Sequence, residues 1–171
     1  MAGESAMVMA ASVPCGVSPR GRSDRFAPVP YGAEGYGPAM PLRGLLMDYA
    51  GVLTDGPEPA DLVRRARAAG YPTALVSDAD EVPEDCAALF DVLVLGAALG
   101  VRKPDPEVYR QTAVLLGLTA QDCVVVDDLA ANLRGARAAG AVVVHHVAVE
   151  ATLTEVGILL GLPDQSPRPG R

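Results

Sequence analysis

The stretches Gly44-Leu-Leu-Met-Asp48 and Cys123-Val-Val-Val-Asp127-Asp128 decide the fold of this chain, because each is a short apolar run that ends in a carboxylate. Three more apolar runs occur between or after them, and nearly continuous apolar runs are typical of strands covered on both faces. Helical patterns separate the runs, so the sequence predicts repeated strand–helix units around a parallel sheet. The predicted strands are residues 44–48, 73–77, 92–95, 123–126 and 141–145.

Prolines, glycines and capping residues set the limits of the predicted helices. Pro59 suits a first helical turn, and the helix that it opens stops at Gly70. Asp105 can cap a helix that ends before Gly117. The remaining helical stretches are residues 83–89, 130–139 and 150–160.

The chain divides into one predicted domain and two tails. Residues 1–42 are rich in glycine and proline and show no sustained period, which predicts a disordered tail. Residues 43–163 form a predicted three-layer α/β domain, and residues 164–171 a second disordered tail. A secretory signal around residues 6–11 is an alternative for the first tail, although no basic side chain precedes that stretch. Met40 is an alternative start of the protein.

Composition excludes several classes of function. The chain has 171 residues, 50% apolar and 20% charged, which is enough for one domain with a proper core. No apolar run approaches the roughly 20 residues of a membrane-spanning helix. The net charge of −7 argues against nucleic acid and anionic membranes as partners. No CxxC pair occurs among Cys15, Cys86 and Cys123, so we expect a cytoplasmic protein without disulfides or a zinc site. The pair His145-His146 lacks a third ligand at a suitable spacing, so we do not expect it to bind a metal.

Polar side chains follow the apolar runs where ligands bind in parallel sheets, beyond the carboxyl ends of the strands. The first run ends at Asp48, the second at Ser77 and the fourth at Asp127-Asp128, while Lys103 follows the third. Lys103 is also the only lysine of the chain, against 13 arginines. Converging carboxylates need compensation by a cation, and hard carboxylate oxygens favour Mg²⁺. The sequence therefore predicts a site for Mg²⁺ and a phosphoryl-like anion.

Residues 45–141 resemble the haloacid dehalogenase (HAD) superfamily of hydrolases, whose four motifs occur here in order at strand ends. They are Leu45-Leu-Met-Asp48-Tyr-Ala-Gly-Val-Leu53-Thr, Ala74-Leu-Val-Ser77, Arg102-Lys103-Pro-Asp-Pro106 and Val124-Val-Val-Asp127-Asp128-Leu-Ala-Ala-Asn132. The resemblance implies a phosphatase-type hydrolase in which Asp48 is the nucleophile that forms an aspartyl intermediate. Ser77 and Lys103 would hold the transferred group. The implied Mg²⁺ ligands are Asp48, the backbone carbonyl of Ala50, Asp127 and Asp128.

The resemblance also implies a Rossmann-like sheet of strand order 5-4-1-2-3. Only 28 residues separate Asp48 from Ser77 and 25 separate Ser77 from Lys103, and both gaps are filled by predicted strands and helices. No room remains there for the cap domain that seals the site in many relatives. An uncapped site suits a small-molecule or phosphorylated substrate that is large or is partly enclosed by a partner.

One position departs from the family pattern. Most phosphatases of the superfamily carry a second aspartate two residues after the nucleophile, as general acid and base, and this chain has Ala50 there. Asp78 also adds a negative charge where the family often has asparagine. A catalytically degenerate HAD domain that serves as a binding or regulatory module is therefore the alternative function. A response-regulator receiver domain uses similar residues, but there the acidic pair comes first and the lysine last.

Overall fold

The computed structural model describes residues 8–10 and 41–163 of the chain. A six-stranded sheet lies at the centre, in the order β1-β4-β3-β2-β5-β6. Its strands are β1 (Val8–Ala10), β2 (Gly44–Met47), β3 (Thr73–Ser77), β4 (Val92–Leu95), β5 (Cys123–Asp127) and β6 (Val142–His145). Strands β2 to β6 are parallel, and β1 pairs antiparallel with β4 at one edge.

Five helices connect and cover the parallel strands. They are α1 (Glu58–Ala68), α2 (Glu84–Ala87), α3 (Pro106–Leu115), α4 (Ala130–Ala139) and α5 (Val149–Leu160). A compact turn at Tyr49–Leu53 follows β2, and a short 3₁₀ turn at Ala120–Asp122 precedes β5. The predicted cap of α3 is confirmed, because the Asp105 carboxylate accepts a hydrogen bond from the backbone N–H of Glu107 at 2.9 Å.

The predicted five-stranded parallel sheet and its strand order are confirmed, with two differences in detail. β5 extends to Asp127, because this residue lies in register with His145 of β6. β1 adds a sixth strand from within the predicted tail, and for those three residues the prediction of disorder is wrong. The edge strand β4 has backbone N–H and C=O groups that the sheet leaves unpaired. A short segment can form hydrogen bonds with them even when its sequence shows no alternation of apolar and polar residues. The rest of residues 1–40, and residues 164–171, lie outside the described residues, so those boundaries stay predictions.

Two apolar cores lie on opposite faces of the sheet, and alternation along each strand divides the side chains between them. Leu45 and Met47 of β2 pack toward α1 and α5, whereas Leu46 packs toward α3 and α4. All three side chains are buried. Because both faces are covered, the carboxyl edge of the parallel strands is where polar side chains can meet a ligand.

Gly135 of α4 allows a close approach that bears on this edge. A Cβ built on Gly135 would overlap the backbone carbonyl oxygen of Pro104. Pro104 follows Lys103 in the loop between β4 and α3. The missing side chain of Gly135 therefore lets α4 and the lysine-bearing loop lie against each other.

No helix within residues 41–163 combines the length and the apolar character needed to cross a lipid bilayer.

Replacing Gly135 by alanine should lower the free energy of unfolding by about 1–3 kcal/mol, because the new methyl group must displace the Pro104 backbone. Urea denaturation measures this change. Gly157→Ala is the matched control, since Gly157 lies inside α5 and its added Cβ meets no atom within 4 Å. That variant should gain about 0.5–1 kcal/mol from helix propensity alone. Equal stabilities of the two variants would contradict the close approach.

Candidate active site

Three carboxylates meet at the carboxyl edge of the sheet. β2 and β5 are neighbours in register, with Met47 opposite Val126, so the residues that follow them lie side by side. Asp48, Asp127 and Asp128 each offer a carboxylate oxygen within 4.8 Å of the others. Asp48 and Asp127 are buried, at 6% and 1% exposure. The convergence expected from the strand ends is therefore present.

Lys103 supplies the positive charge between two of these carboxylates. Its Nζ lies 2.7 Å from Asp48 Oδ1 and 2.9 Å from Asp127 Oδ2. The lysine side chain is only 4% exposed, so the three groups form a buried ion triad. Charge pairs at this depth interact more strongly than surface pairs, and each depends on the others for compensation.

The surroundings shift the pKa values of the pair in a consistent way. Burial raises the pKa of the Asp48 carboxyl group, and the Lys103 ammonium group opposes this shift only in part. Burial alone would lower the pKa of Lys103, but Asp48 and Asp127 outweigh it and leave that pKa above its ordinary value. Lys103 is therefore held as an ammonium ion at neutral pH.

The Asp127 carboxylate is saturated with hydrogen bonds. Asn132 Nδ2 donates to both of its oxygens, at 2.9 and 3.0 Å, and the backbone N–H of Leu129 donates to Oδ1 at 2.9 Å. The Tyr109 hydroxyl donates to the Asn132 carbonyl at 3.0 Å and fixes the start of α4. Asn132 closes the fourth motif, but its spacing alone predicts no role for it. It lies in the first turn of α4, where side chains tilt toward the helix N-terminus, and this position could have indicated that its amide faces the strand end.

Asp128 has the opposite environment. Its Oδ1 is buried and has no hydrogen-bond partner among the described residues. Gly51 lies against the other oxygen, because a Cβ built on Gly51 would come within 2.5 Å of Asp128 Oδ2. A buried carboxylate oxygen without a donor is costly unless a cation neutralises it. The acidic, oxygen-rich donor set of Asp48 and Asp128 therefore fits Mg²⁺.

Asp48 has one oxygen that is held and one that is open. Oδ1 accepts a hydrogen bond from the Tyr49 backbone N–H at 2.7 Å and forms an ion pair with Lys103. Oδ2 accepts no hydrogen bond from the described residues and is not fully enclosed by them. The carboxylate is thus oriented through Oδ1, and Oδ2 can reach an electrophile.

Ser77 and Ala50 complete the predicted set. Ser77 ends β3, beside β2, and is 4% exposed. Its Oγ accepts a hydrogen bond from the Ala79 backbone N–H at 3.2 Å, which leaves the hydroxyl hydrogen for another acceptor. Ala50 lies in the turn after Asp48 with extended backbone angles, φ −74° and ψ 129°. Its methyl side chain can neither donate nor accept a proton.

The two gaps in which a cap could be inserted contain only elements of the domain. α1 and β3 occupy the first, and α2 and β4 occupy the second. Within residues 41–163, neither gap therefore contains an inserted cap domain.

A family model for haloacid dehalogenase-like hydrolases matches residues 52–140, which is more than half of the 171 residues. The chain belongs to the haloacid dehalogenase-like hydrolases. The predicted family is thereby confirmed. The matched range contains Ser77, Lys103, Asp127 and Asp128 but begins after Asp48, so the role of Asp48 as nucleophile stays a prediction.

Relatives of this HAD-like chain include one shorter and two longer proteins. A crystal structure of an uncharacterised protein from Corynebacterium glutamicum is 31% identical, with a TM-score of 0.66, over 73% of this chain and 99% of that one. Phosphatase MT3486 of Mycobacterium tuberculosis is 29% identical over 55% of this chain and 47% of its own length. Protein SUPPRESSOR OF QUENCHING 1, chloroplastic, of Arabidopsis thaliana is 30% identical over 58% of this chain and 10% of its own length. The chain therefore spans less than half of either curated relative.

Replacing Lys103 by methionine should lower the free energy of unfolding by about 3–5 kcal/mol, because it leaves two buried carboxylates without their shared cation. Urea denaturation at pH 7 measures the loss. Arg64→Met is the control, since the Arg64–Asp61 pair is 59% and 65% exposed. That pair should contribute less than about 1 kcal/mol. A Lys103→Met variant as stable as the Arg64→Met variant would show that the triad does not hold the edge together.

Proposed function

We propose that this chain is a Mg²⁺-dependent phosphohydrolase that acts through an aspartyl intermediate at Asp48. The observation that carries the proposal is the difference between the two oxygens of Asp48, one held by Lys103 and one open, next to the unpartnered oxygen of Asp128. Family membership and the likeness to a phosphatase of M. tuberculosis support the same reaction class.

The metal would be held by Asp48, the backbone carbonyl of Ala50 and Asp128. Ala50 stands where most phosphatases of the superfamily have aspartate, but it has the same backbone carbonyl. This metal ligand is therefore available without the aspartate side chain. The sequence predicts Asp127 as a Mg²⁺ ligand. We propose a different role for it, because its oxygens already accept hydrogen bonds from Lys103 and Asn132. Asp127 would orient the lysine rather than bind the ion directly. When bound, Mg²⁺ would neutralise charge on the phosphoryl oxygens.

The chain's own residues can carry the transfer in two steps. In the first, Asp48 Oδ2 attacks phosphorus, the P–O bond to the leaving group breaks, and its electron pair stays on the leaving oxygen. Lys103 and the Ser77 hydroxyl would bind the phosphoryl oxygens during this step. In the second, water attacks phosphorus and the Asp48–phosphorus bond breaks, which releases phosphate and restores the carboxylate.

Ala50 limits the leaving groups that such a site can expel. A positioned general acid or base typically contributes about 10²–10⁴ in rate. Without one, the leaving oxygen must depart as an anion, and the attacking water must lose its proton to solvent. The proposed substrates are therefore activated phosphates, such as aryl or acyl phosphates.

The charges around the site favour a substrate without further negative groups. Asp78 and Asp80 are exposed just after β3, at the same edge as Ser77. Two cations follow β4 before α3, and both have partners: Lys103 is in the triad, and Arg102 lies 3.8 Å from Asp80. The open edge between these loops accommodates a large substrate or one presented by a partner protein.

A binding or regulatory module without turnover is the second candidate function. It is favoured by the methyl group of Ala50 and by the negative charge of Asp78 beside Ser77. Such a module would keep the affinity for Mg²⁺ and phosphate but would not release product.

We propose a cytoplasmic location, as the cysteine pattern predicts. Cys86 and Cys123 are free thiols, and burial raises the pKa of Cys123 to about 12, which makes it unreactive at neutral pH.

Asp48→Asn should abolish hydrolysis of para-nitrophenyl phosphate in the presence of Mg²⁺, because the amide is not a nucleophile. Release of para-nitrophenolate measures the rate. Asp61→Asn, an exposed carboxylate on α1, is the control and should keep full activity. Turnover that survives in Asp48→Asn would remove the nucleophile from the proposal. A wild-type protein that binds Mg²⁺ and phosphate in calorimetry but releases no product would favour the binding module.

Ala50→Asp should raise the turnover of alkyl phosphates by about 10²-fold or more, since it restores a general acid and base beside Asp48. The gain for para-nitrophenyl phosphate should be smaller, because its leaving group needs less protonation. Parallel measurements of kcat on the two substrate types test this difference. Equal or lower rates on every substrate would show that more than a proton donor is missing from the site.

A further inference from the structure

His146 is a buried side chain that joins three separate segments of the chain. Its Nε2 lies 3.0 Å from Asp55 Oδ2, in the loop after the Tyr49–Leu53 turn. Its Nδ1 lies 2.8 Å from Thr152 Oγ1 of α5. The histidine side chain is 3% exposed, whereas Asp55 is 57% exposed. The Asp55 carboxylate can only accept, so we assign a hydrogen to His146 Nε2, which donates this hydrogen bond.

The turn that His146 contacts through Asp55 is the one that begins at the nucleophile position. It is closed by its own hydrogen bonds: Thr54 N donates to Tyr49 O at 3.2 Å, and Asp55 N donates to Val52 O at 3.2 Å. Gly51 N also donates to Thr54 Oγ1 at 3.0 Å. These bonds link Asp55 and its neighbour Thr54 to Gly51 and Val52, so we expect a restraint on Asp55 to restrain Gly51 as well.

His146 is equally tied to the acidic pair on the neighbouring strand. Its backbone N–H donates to the Asp127 carbonyl at 3.0 Å. The preceding residue, His145, places its Nε2 2.9 Å from the Asp128 carbonyl, and so restrains the same loop. One buried residue thus connects the turn after Asp48 to the strand end that carries Asp127 and Asp128.

We propose that His146 is a positioning residue that sets the separation between the Asp48 turn and Asp128, and thereby the affinity of the site for Mg²⁺. The inference rests on the proposed function, in which Asp48, the Ala50 carbonyl and Asp128 would hold the ion. A capped enzyme can use its cap to hold the site closed. Here the loop after the turn is contacted instead by the buried His146, which lies 91 positions later in the chain than Asp55.

The test is a set of variants that separates the contact from the charge. Asp55→Ala removes the contact at an exposed position, where folding should be unaffected. Asp55→Asn removes the charge but keeps an acceptor oxygen for His146 Nε2. His146→Asn should lose the Asp55 contact, whereas the longer His146→Gln can restore it. Circular dichroism and thermal unfolding establish that each variant is folded.

Calorimetric titration with Mg²⁺ is the main measurement. Asp55→Ala and His146→Asn should each weaken Mg²⁺ binding by about tenfold, as loss of outer-shell partners typically does. Asp55→Asn and His146→Gln should stay within about threefold of wild type. The double variant Asp55→Ala with His146→Asn should be no weaker than either single variant, because both remove the same contact. At saturating Mg²⁺ the KM for para-nitrophenyl phosphate should be unchanged.

Hydrogen exchange of the metal-free protein gives a readout that does not depend on the proposed reaction. The amides of Gly51, Thr54 and Asp55 should exchange faster in Asp55→Ala and His146→Asn than in Asp55→Asn. Unchanged exchange and unchanged Mg²⁺ affinity in the folded Asp55→Ala variant would overturn the inference, as would additive losses in the double variant. If the wild-type protein binds no Mg²⁺, the proposed function and the metal part of the inference both fail, whereas the exchange data still decide whether His146 restrains the turn.

Discussion

The buried ammonium group of Lys103 is the interaction on which the candidate site depends. It lies within hydrogen-bond distance of Asp48 and Asp127, which come from adjacent strands that would otherwise place two carboxylates side by side at low exposure. Like charges at that separation repel strongly where water is excluded. The lysine offsets part of this repulsion and holds one oxygen of Asp48 at the same time. Its loop reaches the site because Gly135 lets α4 lie against Pro104.

The two residues of the acidic pair have different environments. Asp127 is fully hydrogen-bonded, with Lys103 and Asn132 among its partners, whereas Asp128 has a buried oxygen without a donor among the described residues. A carboxylate that binds a cation needs an oxygen free of hydrogen-bond donors. A carboxylate that orients other side chains needs its oxygens to be hydrogen-bonded. Two consecutive residues have these different environments although their carboxylates lie close together, because β5 ends at Asp127 and Asp128 lies in the loop that follows.

Ala50 and the open edge limit the proposed chemistry in complementary ways. The alanine removes a proton donor, so the leaving group must be stable as an anion. Within residues 41–163 no cap domain is inserted between Asp48 and Lys103, so the proposed site would admit water and large groups. An activated phosphate tolerates both conditions. In the proposed mechanism, the His146 contact with Asp55 would hold the turn after Asp48 in place without a cap.

The sequence by itself determined the strands, their order through the family motifs, and four side chains that meet at one edge: Asp48, Lys103, Asp127 and Asp128. Apolar periodicity and strand-end polarity are local signals, so they could be read along the chain. The sequence did not predict β1, because a strand of three residues is too short to show an alternation of apolar and polar side chains. Only the tertiary structure decided that Asp127 is saturated by Asn132, that Asp128 is not, and that His146 reaches Asp55 across 91 positions. Hydrogen-bond partners of this kind depend on distances between elements, and those are fixed by packing rather than by spacing along the chain.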